Sequence, residues 1–305
     1  MALNAAPGRY AFAALIVSNL FLAMGPWMVR LADVGPVASA FWRLSLAIPL
    51  LLMLARFASK GSFRPGKGVA LLIVAGGVFF AADLAAWHYG IGLTKLANAT
   101  LFGNASSLLF PVYGFIAARM LPQRLQALAL LLAAAGAALL LGGSYELSAR
   151  HLRGDLFAIL AGLFYTAYLI VIDRARQTLK PLPVLALATI AGAGPLLLFS
   201  LLLGEKVLPS DWTPLILLSL GSQVIGQGLL VYSVGHLSPL VVGLGLLTQP
   251  AVTAVVGWLA YDERLSAADG VGAILICAAL VLIRLPQRLA TGEAAPHLGE
   301  DRSAR

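Results

Sequence analysis

Apolar stretches of about 20 residues, separated by short polar links, recur along the whole chain and limit the folds open to it. A helix of this length crosses the hydrocarbon core of a bilayer, whereas a barrel strand needs about 10 residues of alternating character. The run at residues 128–141 does not alternate, and 60% of all residues are hydrophobic against 11% charged. The sequence therefore predicts an all-α integral membrane protein.

Ten transmembrane helices are predicted from these stretches. They cover residues 10–30, 37–56, 68–90, 97–117, 125–143, 155–173, 183–203, 213–233, 239–260 and 267–284. The links between them are rich in Gly, Pro, Lys and Arg, which interrupt helices or stay in water.

The second half of the chain repeats landmarks of the first. Pro49 recurs as Pro195 and Pro111 as Pro250, at a nearly constant separation. Each half holds five predicted spans and reads as one repeat. The predicted repeats are residues 8–145 and 152–285. Because five is an odd number, the two repeats are expected to lie inverted relative to each other in the membrane.

The distribution of basic residues predicts the orientation. Most Lys and Arg residues of the short links fall on the side that holds both termini, and positive charge favours the cytoplasm. Both termini are therefore predicted to be cytoplasmic, with residues 286–305 as a disordered tail. The same bias explains the net charge of +8 without a nucleic acid partner, since no basic stretch is interleaved with exposed aromatic residues.

The sequence offers little for enzymatic or metal chemistry. Residues 61–67 match the start of a phosphate-binding loop, but Gly68 stands where Ser or Thr would hold magnesium. There is no His-Glu-x-x-His zinc motif and no Gly-x-Ser-x-Gly nucleophile motif, and Cys277 is the single cysteine. We therefore predict no catalytic residue, no cofactor and no metal site.

Polar side chains at membrane depth are unfavourable there and so indicate a binding site. Aromatic side chains beside them add surface for an organic solute. The predicted substrate-binding residues are Asn19, Phe79, Asp83, Trp87, Asn104, Ser107, Tyr165, Tyr168, Gln223 and Gln227. They come from both halves, as a site at the interface between inverted repeats requires.

Asp83 is the sharpest candidate in this set. Phe79, Asp83 and Trp87 are four residues apart, so they share one helical face and place an acid between two aromatic rings. The carboxylate could take up a proton or bind an ammonium group. The alternative is a carboxyl group that a neighbouring helix satisfies.

Other polar residues also allow two interpretations each. Gln223 and Gln227 offer donors and acceptors that suit a zwitterionic ligand, but the same amides could join helices. Asn104 and Ser107 share a helical face with Pro111. Pro111 leaves the carbonyl of Ser107 without its helical partner, which fits either a cavity or a kink that aids packing.

The remaining aromatic and charged residues of the spans are assigned by position. Tyr165 and Tyr168 add aromatic surface to the sixth span. His88 and Tyr89 lie near a span end and are interpreted as interfacial anchors. Arg43 is a second charge within a span, and we interpret it as structural, either paired or capping.

Three stretches carry a resemblance to a known family. They are Leu-Ala-Met-Gly at residues 22–25, Arg43 directly after Trp42, and Tyr-Asp-Glu-Arg-Leu-Ser at residues 261–266. With the tandem layout, they resemble the EamA type of the drug/metabolite transporter superfamily over residues 10–284. The resemblance implies two EamA-like repeats of five helices.

Within that family, residues 18–31, 79–91 and 222–243 are most similar to bacterial inner-membrane exporters of aromatic amino acids. The resemblance implies a multi-pass inner-membrane transporter that exports aromatic and other neutral amino acids by alternating access. Its partners would be amino acids and the lipid bilayer, with the chain as a monomer. An exporter of cationic drugs or other metabolites and an intramembrane enzyme that uses Asp83 stay open as alternatives.

Overall fold

The computed structural model describes residues 7–60, 64–91, 93, 102–142, 149–261 and 267–284, and every regular element in these ranges is a helix. The helices are α1 (Pro7–Ala23), α2 (Gly25–Leu31), α3 (Pro36–Ala58), α4 (Lys67–Ile91), α5 (Ser106–Ala118), α6 (Arg124–Gly142), α7 (Ala149–Arg176), α8 (Pro181–Leu202), α9 (Thr213–Leu217), a π-helix (Leu218–Gln227), α10 (Gly228–Val234), α11 (Pro239–Leu246), α12 (Thr248–Tyr261) and α13 (Ala267–Arg284). The predicted tail, residues 286–305, lies outside the described ranges.

Six helical stretches are long and apolar enough to cross a membrane. They are Tyr10–Leu31, Pro36–Ala58, Lys67–Ile91, Leu152–Arg176, Pro181–Leu202 and Thr213–Val234. Shorter apolar helices cover Ser106–Ala118, Arg124–Leu139, Pro239–Thr253 and Gly270–Ile283. These are the elements of a multi-pass integral membrane protein, as predicted. The count of ten spans and the cytoplasmic placement of both termini stay predictions.

Helices of the first half pack mainly on helices of the second. The third predicted span of each half lies along the first span of the other: α4 packs on α7, and the π-helix with α10 packs on α1. The second, fourth and fifth spans pack on their counterparts, α3 on α8, α5 on α11 and α6 on α13. If the two halves exchanged places, the same pairs of spans would be in contact. Two structural repeats would show this relation. The repeat boundaries and the inverted orientation stay predictions.

The backbones of α4 and α8 touch directly where the two helices cross. A Cβ atom added at Gly77 would lie 2.4 Å from the carbonyl oxygen of Ala188. One added at Gly192 would lie 2.8 Å from the carbonyl oxygen of Gly77. Glycine at these positions lets the helices approach closely, and van der Waals contact of this kind holds helices together in lipid.

Four of the apolar segments are interrupted within their length. Met24 separates α1 from α2, where Pro26 lacks the N–H that a continuous helix needs. A turn at Asn104 precedes α5, Leu247 separates α11 from α12, and a π-helix occupies Leu218–Gln227. Breaks and wide turns loosen backbone hydrogen bonding, so at membrane depth they are tolerated where protein or a cavity surrounds them.

At one end of the bundle, the loop after α8 is fastened to the start of α3. The carboxylate of Glu205 accepts hydrogen bonds from the backbone N–H groups of Val37 at 3.2 Å and Ala38 at 2.7 Å. The first N–H groups of a helix have no partner within it, so Glu205 satisfies two of them. The N–H of Gly35 donates to the carbonyl of Lys206 at 2.9 Å. We call this contact between residues 33–38 and residues 205–210 the loop clamp.

An ion pair completes the loop clamp. The Nζ atom of Lys206 lies 2.6 Å from Oδ2 of Asp33, which also accepts a hydrogen bond from the N–H of Ser210 at 2.9 Å. The hydrogen bond from Lys206 has the largest effect on the Asp33 carboxyl and that from Ser210 the next largest. Together they hold its pKa well below the ordinary value. Next to the clamp, Nε1 of Trp42 donates to the carbonyl of Val207 at 2.7 Å. The two halves are therefore tied together at this end.

Candidate functional site

A cavity of about 110 Å³ lies between the two halves of the chain. Its wall comes from α1 to α4 and the start of α5 in the first half, and from α7, the π-helix and α12 in the second. The lining residues next to the helix interruptions are Ala23, Gly25, Pro26, Gly103, Asn104, Ser106, Leu218, Gln227 and Gln249. The irregular backbone thus surrounds the cavity, as it does where broken helices form a site at membrane depth.

Arg43 and Asp83 bring opposite charges to the cavity wall. They are close enough to attract each other, but no ion pair joins them. Among the residues that the structure describes, no hydrogen-bond donor reaches the carboxylate of Asp83. The binding of a solute by Asp83 stays a prediction. An unpaired charge at membrane depth is unfavourable unless a solute or water reaches it.

The guanidinium group of Arg43 is fixed on two sides. The residue is 7% exposed, and its Nε donates to Oε1 of Gln223 at 3.1 Å. The Nε2 atom of Gln223 donates in turn to Oγ1 of Thr189 at 3.0 Å. The Cζ atom of Arg43 lies 5.6 Å from the centre of the Phe80 ring, within cation–π range. Within the described residues the partners of Arg43 are a neutral amide and an aromatic ring, so no carboxylate neutralises its charge.

Aromatic rings form a second part of the wall. Phe80, Trp87 and Tyr165 line the cavity. The Phe80 ring is 6.3 Å from that of Tyr165 and stacks at 4.7 Å on Tyr168, which stands behind the wall. The rings support one another, so the aromatic surface beside the two charges is held in place.

The structure brings five of the ten predicted site residues to the cavity wall. They are Asp83, Trp87, Asn104, Tyr165 and Gln227. The other five do not line it. They are Asn19, Phe79, Ser107, Tyr168 and Gln223.

Three of those five, Gln223, Asn19 and Tyr168, hold lining residues in position from behind, and Gln223 does so through its bond to Arg43. The Nδ2 atom of Asn19 donates to the carbonyl of Gly245 at 2.8 Å, and its Oδ1 accepts from Nε2 of Gln249 at 2.9 Å. The hydroxyl of Tyr168 accepts from Nε2 of Gln227 at 3.0 Å. Asn19 and Tyr168 are both 0% exposed, so they meet no solute in this conformation.

Ser107 and Phe79 have different surroundings. The Ser107 hydroxyl donates to the carbonyl of Asn104 at 2.5 Å, which stabilises the turn before α5. The ring of Phe79 stacks at 6.5 Å on Phe164 and does not line the cavity. Its neighbour Phe80 takes the place that the four-residue spacing assigned to Phe79.

Several lining residues were not predicted as part of the site. The polar and aromatic ones are Arg43, Phe80, His88, Ser106, Gln249 and Thr253. The interpretation of His88 as an interfacial anchor is wrong, because this side chain is 1% exposed and faces the cavity. For Phe80, His88 and Ser106 the available signal was a polar or aromatic group on a helix that also carries a predicted site residue. For Arg43, Gln249 and Thr253 it was a polar group within a predicted span.

Two buried polar atoms of lining residues have no partner. Within the described ranges, neither Nδ1 of His88 nor Oε1 of Gln227 has a hydrogen-bond partner. Buried polar atoms are nearly always hydrogen-bonded in folded proteins, so exceptions call for a ligand or water. The described residues contain no group of three or more His, Cys, Asp and Glu side chains that could hold a metal ion.

The fold and the cavity together define a class of protein: a helical, multi-pass membrane protein with a charged cavity between two halves. Residues 152–285 match the sequence model of the EamA-like transporter family. This match supports a place in the drug/metabolite transporter superfamily and indicates a membrane transporter of small molecules. Members of the EamA family are transporters and not enzymes.

A solved structure with the description "Crystal structure of protein" has a similar fold. The superposition covers 90% of this chain and 98% of that chain, with a TM-score of 0.75 and 18% sequence identity. At that identity the likeness concerns the fold alone. A search of curated proteins gives no match.

Proposed function

We propose that the protein is a secondary transporter that exports neutral amino acids, aromatic ones among them, by alternating access. The observation that carries this proposal is the presence of Arg43 and Asp83 in one cavity wall without an ion pair between them. A free amino acid is a zwitterion with a carboxylate and an ammonium group. Two separated charges of opposite sign, one on each of two neighbouring helices, match that pattern.

In this arrangement Arg43 binds the carboxylate and Asp83 binds the ammonium group. Hydrogen bonds between charged groups are the strongest in proteins, and an arginine can bind a carboxylate through two parallel bonds. Oε1 of Gln227, which lacks a partner among the described residues, is an acceptor for a further ammonium proton. Trp87 and Tyr165 offer ring faces to the apolar side chain.

The size of the cavity bears on which amino acids it holds. Its volume of about 110 Å³ is smaller than the roughly 150 Å³ of an engineered cavity that binds benzene. A zwitterion with a small side chain fits this conformation, whereas phenylalanine or tryptophan requires the wall to move outwards. The interrupted helices around the cavity are the elements that can do so.

Alternating access requires the far end of the bundle to open in turn. The cavity lies towards the end that carries the loop clamp, since its wall uses residues such as Val29 and His88 near that end. At the other end, Nζ of Lys180 donates to the carbonyl of Ala58 at 2.7 Å. The Ser233 hydroxyl donates there to the carbonyl of Ala11 at 2.9 Å. We propose that these contacts between the halves part when the other side opens.

Uptake by purified protein in liposomes tests the proposal. The protein should exchange radiolabelled leucine and phenylalanine across the membrane, and both Arg43→Gln and Asp83→Asn should reduce that exchange at least tenfold. Arg56→Gln, on the same helix as Arg43 but exposed at its end, is the matched control and should transport normally. Absence of amino acid exchange by the folded wild-type protein would refute the proposal.

An exporter of cationic drugs is the second candidate, favoured by the unpaired carboxylate of Asp83 beside aromatic rings. Arg43 in the same wall opposes a cation that has no carboxylate. Transport of an organic cation that survives Arg43→Gln, together with no amino acid exchange by the wild type, would favour this candidate. Among the described lining residues, Asp83 is the one acid, which gives no support to a protease with two catalytic acids.

The setting of the protein is part of the same proposal. We place it in the bacterial inner membrane as a multi-pass monomer, with both termini in the cytoplasm. Its partners are the lipid bilayer and its amino acid substrates. The two EamA-like repeats, residues 8–145 and 152–285, would move against each other during transport.

A further inference from the structure

We propose that Gln223 aims Arg43 at the substrate carboxylate and thereby sets the preference for solutes that carry one. This inference rests on the proposed function, because it concerns how the same cavity recognises an amino acid. It assigns Gln223 a positioning role, which differs from direct contact with the solute.

Both ends of the Gln223 amide are hydrogen-bonded to the protein. The side chain is 0% exposed, its Oε1 accepts from Nε of Arg43, and its Nε2 donates to Oγ1 of Thr189. Gln223 is also absent from the cavity wall. Because it is buried behind the wall, its influence on the solute passes through Arg43.

The bond to Gln223 decides which edge of the guanidinium group is presented. A guanidinium carries one N–H on Nε and two on each Nη, and a carboxylate can bind either the Nε edge or the edge between the two Nη atoms. With Nε donated to Gln223, the edge between the Nη atoms is left for a ligand. The Phe80 ring at 5.6 Å from Cζ restricts the tilt of the guanidinium plane. Arg43 is thus preorganised for bidentate binding.

Thr189 holds the other end of the Gln223 amide in place. An amide that is free to flip would offer Arg43 either an oxygen or an NH₂ group, and the NH₂ group cannot accept a hydrogen bond. Because the guanidinium of Arg43 has donors only, Oε1 must face it, and the NH₂ end is left to donate to the hydroxyl of Thr189. The hydrogen-bonded series Thr189–Gln223–Arg43 links the second half of the protein to the first. The orientation of Arg43 therefore depends on how the two halves are positioned.

The test compares two ligands that differ in the carboxylate alone: leucine and leucinamide, which keeps the ammonium group and the side chain. In proteoliposomes, Gln223→Met should raise KM for leucine about tenfold and leave KM for leucinamide unchanged, with little change in kcat for either. Thr189→Val should shift the leucine KM in the same direction by a smaller factor. The ratio of the two KM values is the readout, because a purely structural defect would change both ligands alike.

Ser219→Ala is the matched control. Ser219 is buried in the same π-helix, and its hydroxyl has no hydrogen-bond partner among the described residues, so both KM values should stay at the wild-type level. Equal changes in both KM values for Gln223→Met and for Thr189→Val would overturn the positioning role. If Gln223→Met fails to fold, Thr189→Val decides the matter by the same ratio. If the wild type exchanges no leucine, it is the proposed function that fails.

Discussion

The carboxylate of Glu205 lies 2.7 Å from the backbone nitrogen of Ala38, so a loop of the second half caps a helix of the first. Pro36 at the start of that helix provides a fixed backbone angle, and Glu205 supplies the acceptor that the N-terminal end lacks. A negative charge there is also favoured by the helix dipole. Two elements that are distant in sequence thus share one helix terminus.

Gly35→Ala should break this cap. A Cβ atom at position 35 would lie 2.4 Å from Cβ and Cδ of Glu205, so the acidic side chain has to leave the helix terminus. Loss of a cap of this type lowers the free energy of unfolding by about 1 kcal/mol. Thermal unfolding in detergent, followed by tryptophan fluorescence, should show a lower midpoint. Gly68→Ala, where an added Cβ meets no atom within 4 Å, should keep the wild-type midpoint.

Asp33 should make the stability of the loop clamp depend on pH in one direction. Its pKa is lowered from 3.8 by hydrogen bonds from Lys206 and Ser210, so the folded state holds the charged form more firmly than the unfolded state does. The contribution is therefore complete above pH 3.8 and is lost as the pH falls through the lower, folded-state pKa. Asp33→Asn should lower the thermal midpoint at pH 7, and its difference from the wild type should shrink below pH 3.8.

The prediction for Asp33 is wrong if the difference in thermal midpoint between Asp33→Asn and the wild type stays constant or grows as the pH falls. High salt is an independent check, since this ion pair is exposed and screening weakens such pairs. In 1 M NaCl the two proteins should unfold at closer temperatures than in dilute buffer.

Gly77→Ala should separate α4 from α8. The added methyl group would lie 2.4 Å from the carbonyl oxygen of Ala188, which is backbone and cannot rotate away. Overpacking of this kind costs about 1 to 3 kcal/mol, and a lower thermal midpoint or a broader size-exclusion peak would reveal it. Gly194→Ala on α8 is the control, because an added Cβ there meets no atom within 4 Å. Equal midpoints for the two variants would contradict the close crossing.

Asn19 and Gln249 should act as a coupled pair in transport. Because Oδ1 of Asn19 accepts the hydrogen bond from Nε2 of Gln249, removal of either side chain frees the other. Asn19→Ala, Gln249→Ala and the double variant should give effects on KM that are not additive, with a coupling of about 1 kcal/mol. Additive effects would show that Asn19 does not orient Gln249. Ser18→Ala with Gln249→Ala serves as the comparison, since Ser18 bonds to Gly226 instead.

Local sequence patterns predicted the helices well, and depth in the predicted span was enough to single out Asp83, which lines the cavity. The rotation of a helix about its own axis was harder to predict from the sequence. Phe79 and Phe80 are four and three residues before Asp83, and both positions lie on the same side of a helix as the acid. The face that turns inwards is decided by packing against α7, where Phe80 stacks on Tyr168.

Long-range partners could not be predicted from the sequence. Nothing near Gln223 indicates that it pairs with Arg43, which is 180 positions away, and an amide that binds a solute has the same local sequence as one that binds an arginine. The π-helix has no clear sequence signal either, apart from the glycines around it. By contrast, Pro26 within the first apolar stretch was a visible sign of the break at Met24.

The proposed site also links folding to ligand concentration. No ion pair joins Arg43 and Asp83 in the empty cavity, so a bound zwitterion would give each side chain a partner of opposite charge. A ligand that binds the folded state alone adds about 2.7 kcal/mol to its stability at 100 times its dissociation constant. The melting temperature of the purified protein is therefore a direct reporter of what the cavity accepts, and it requires no radiolabel and no transport.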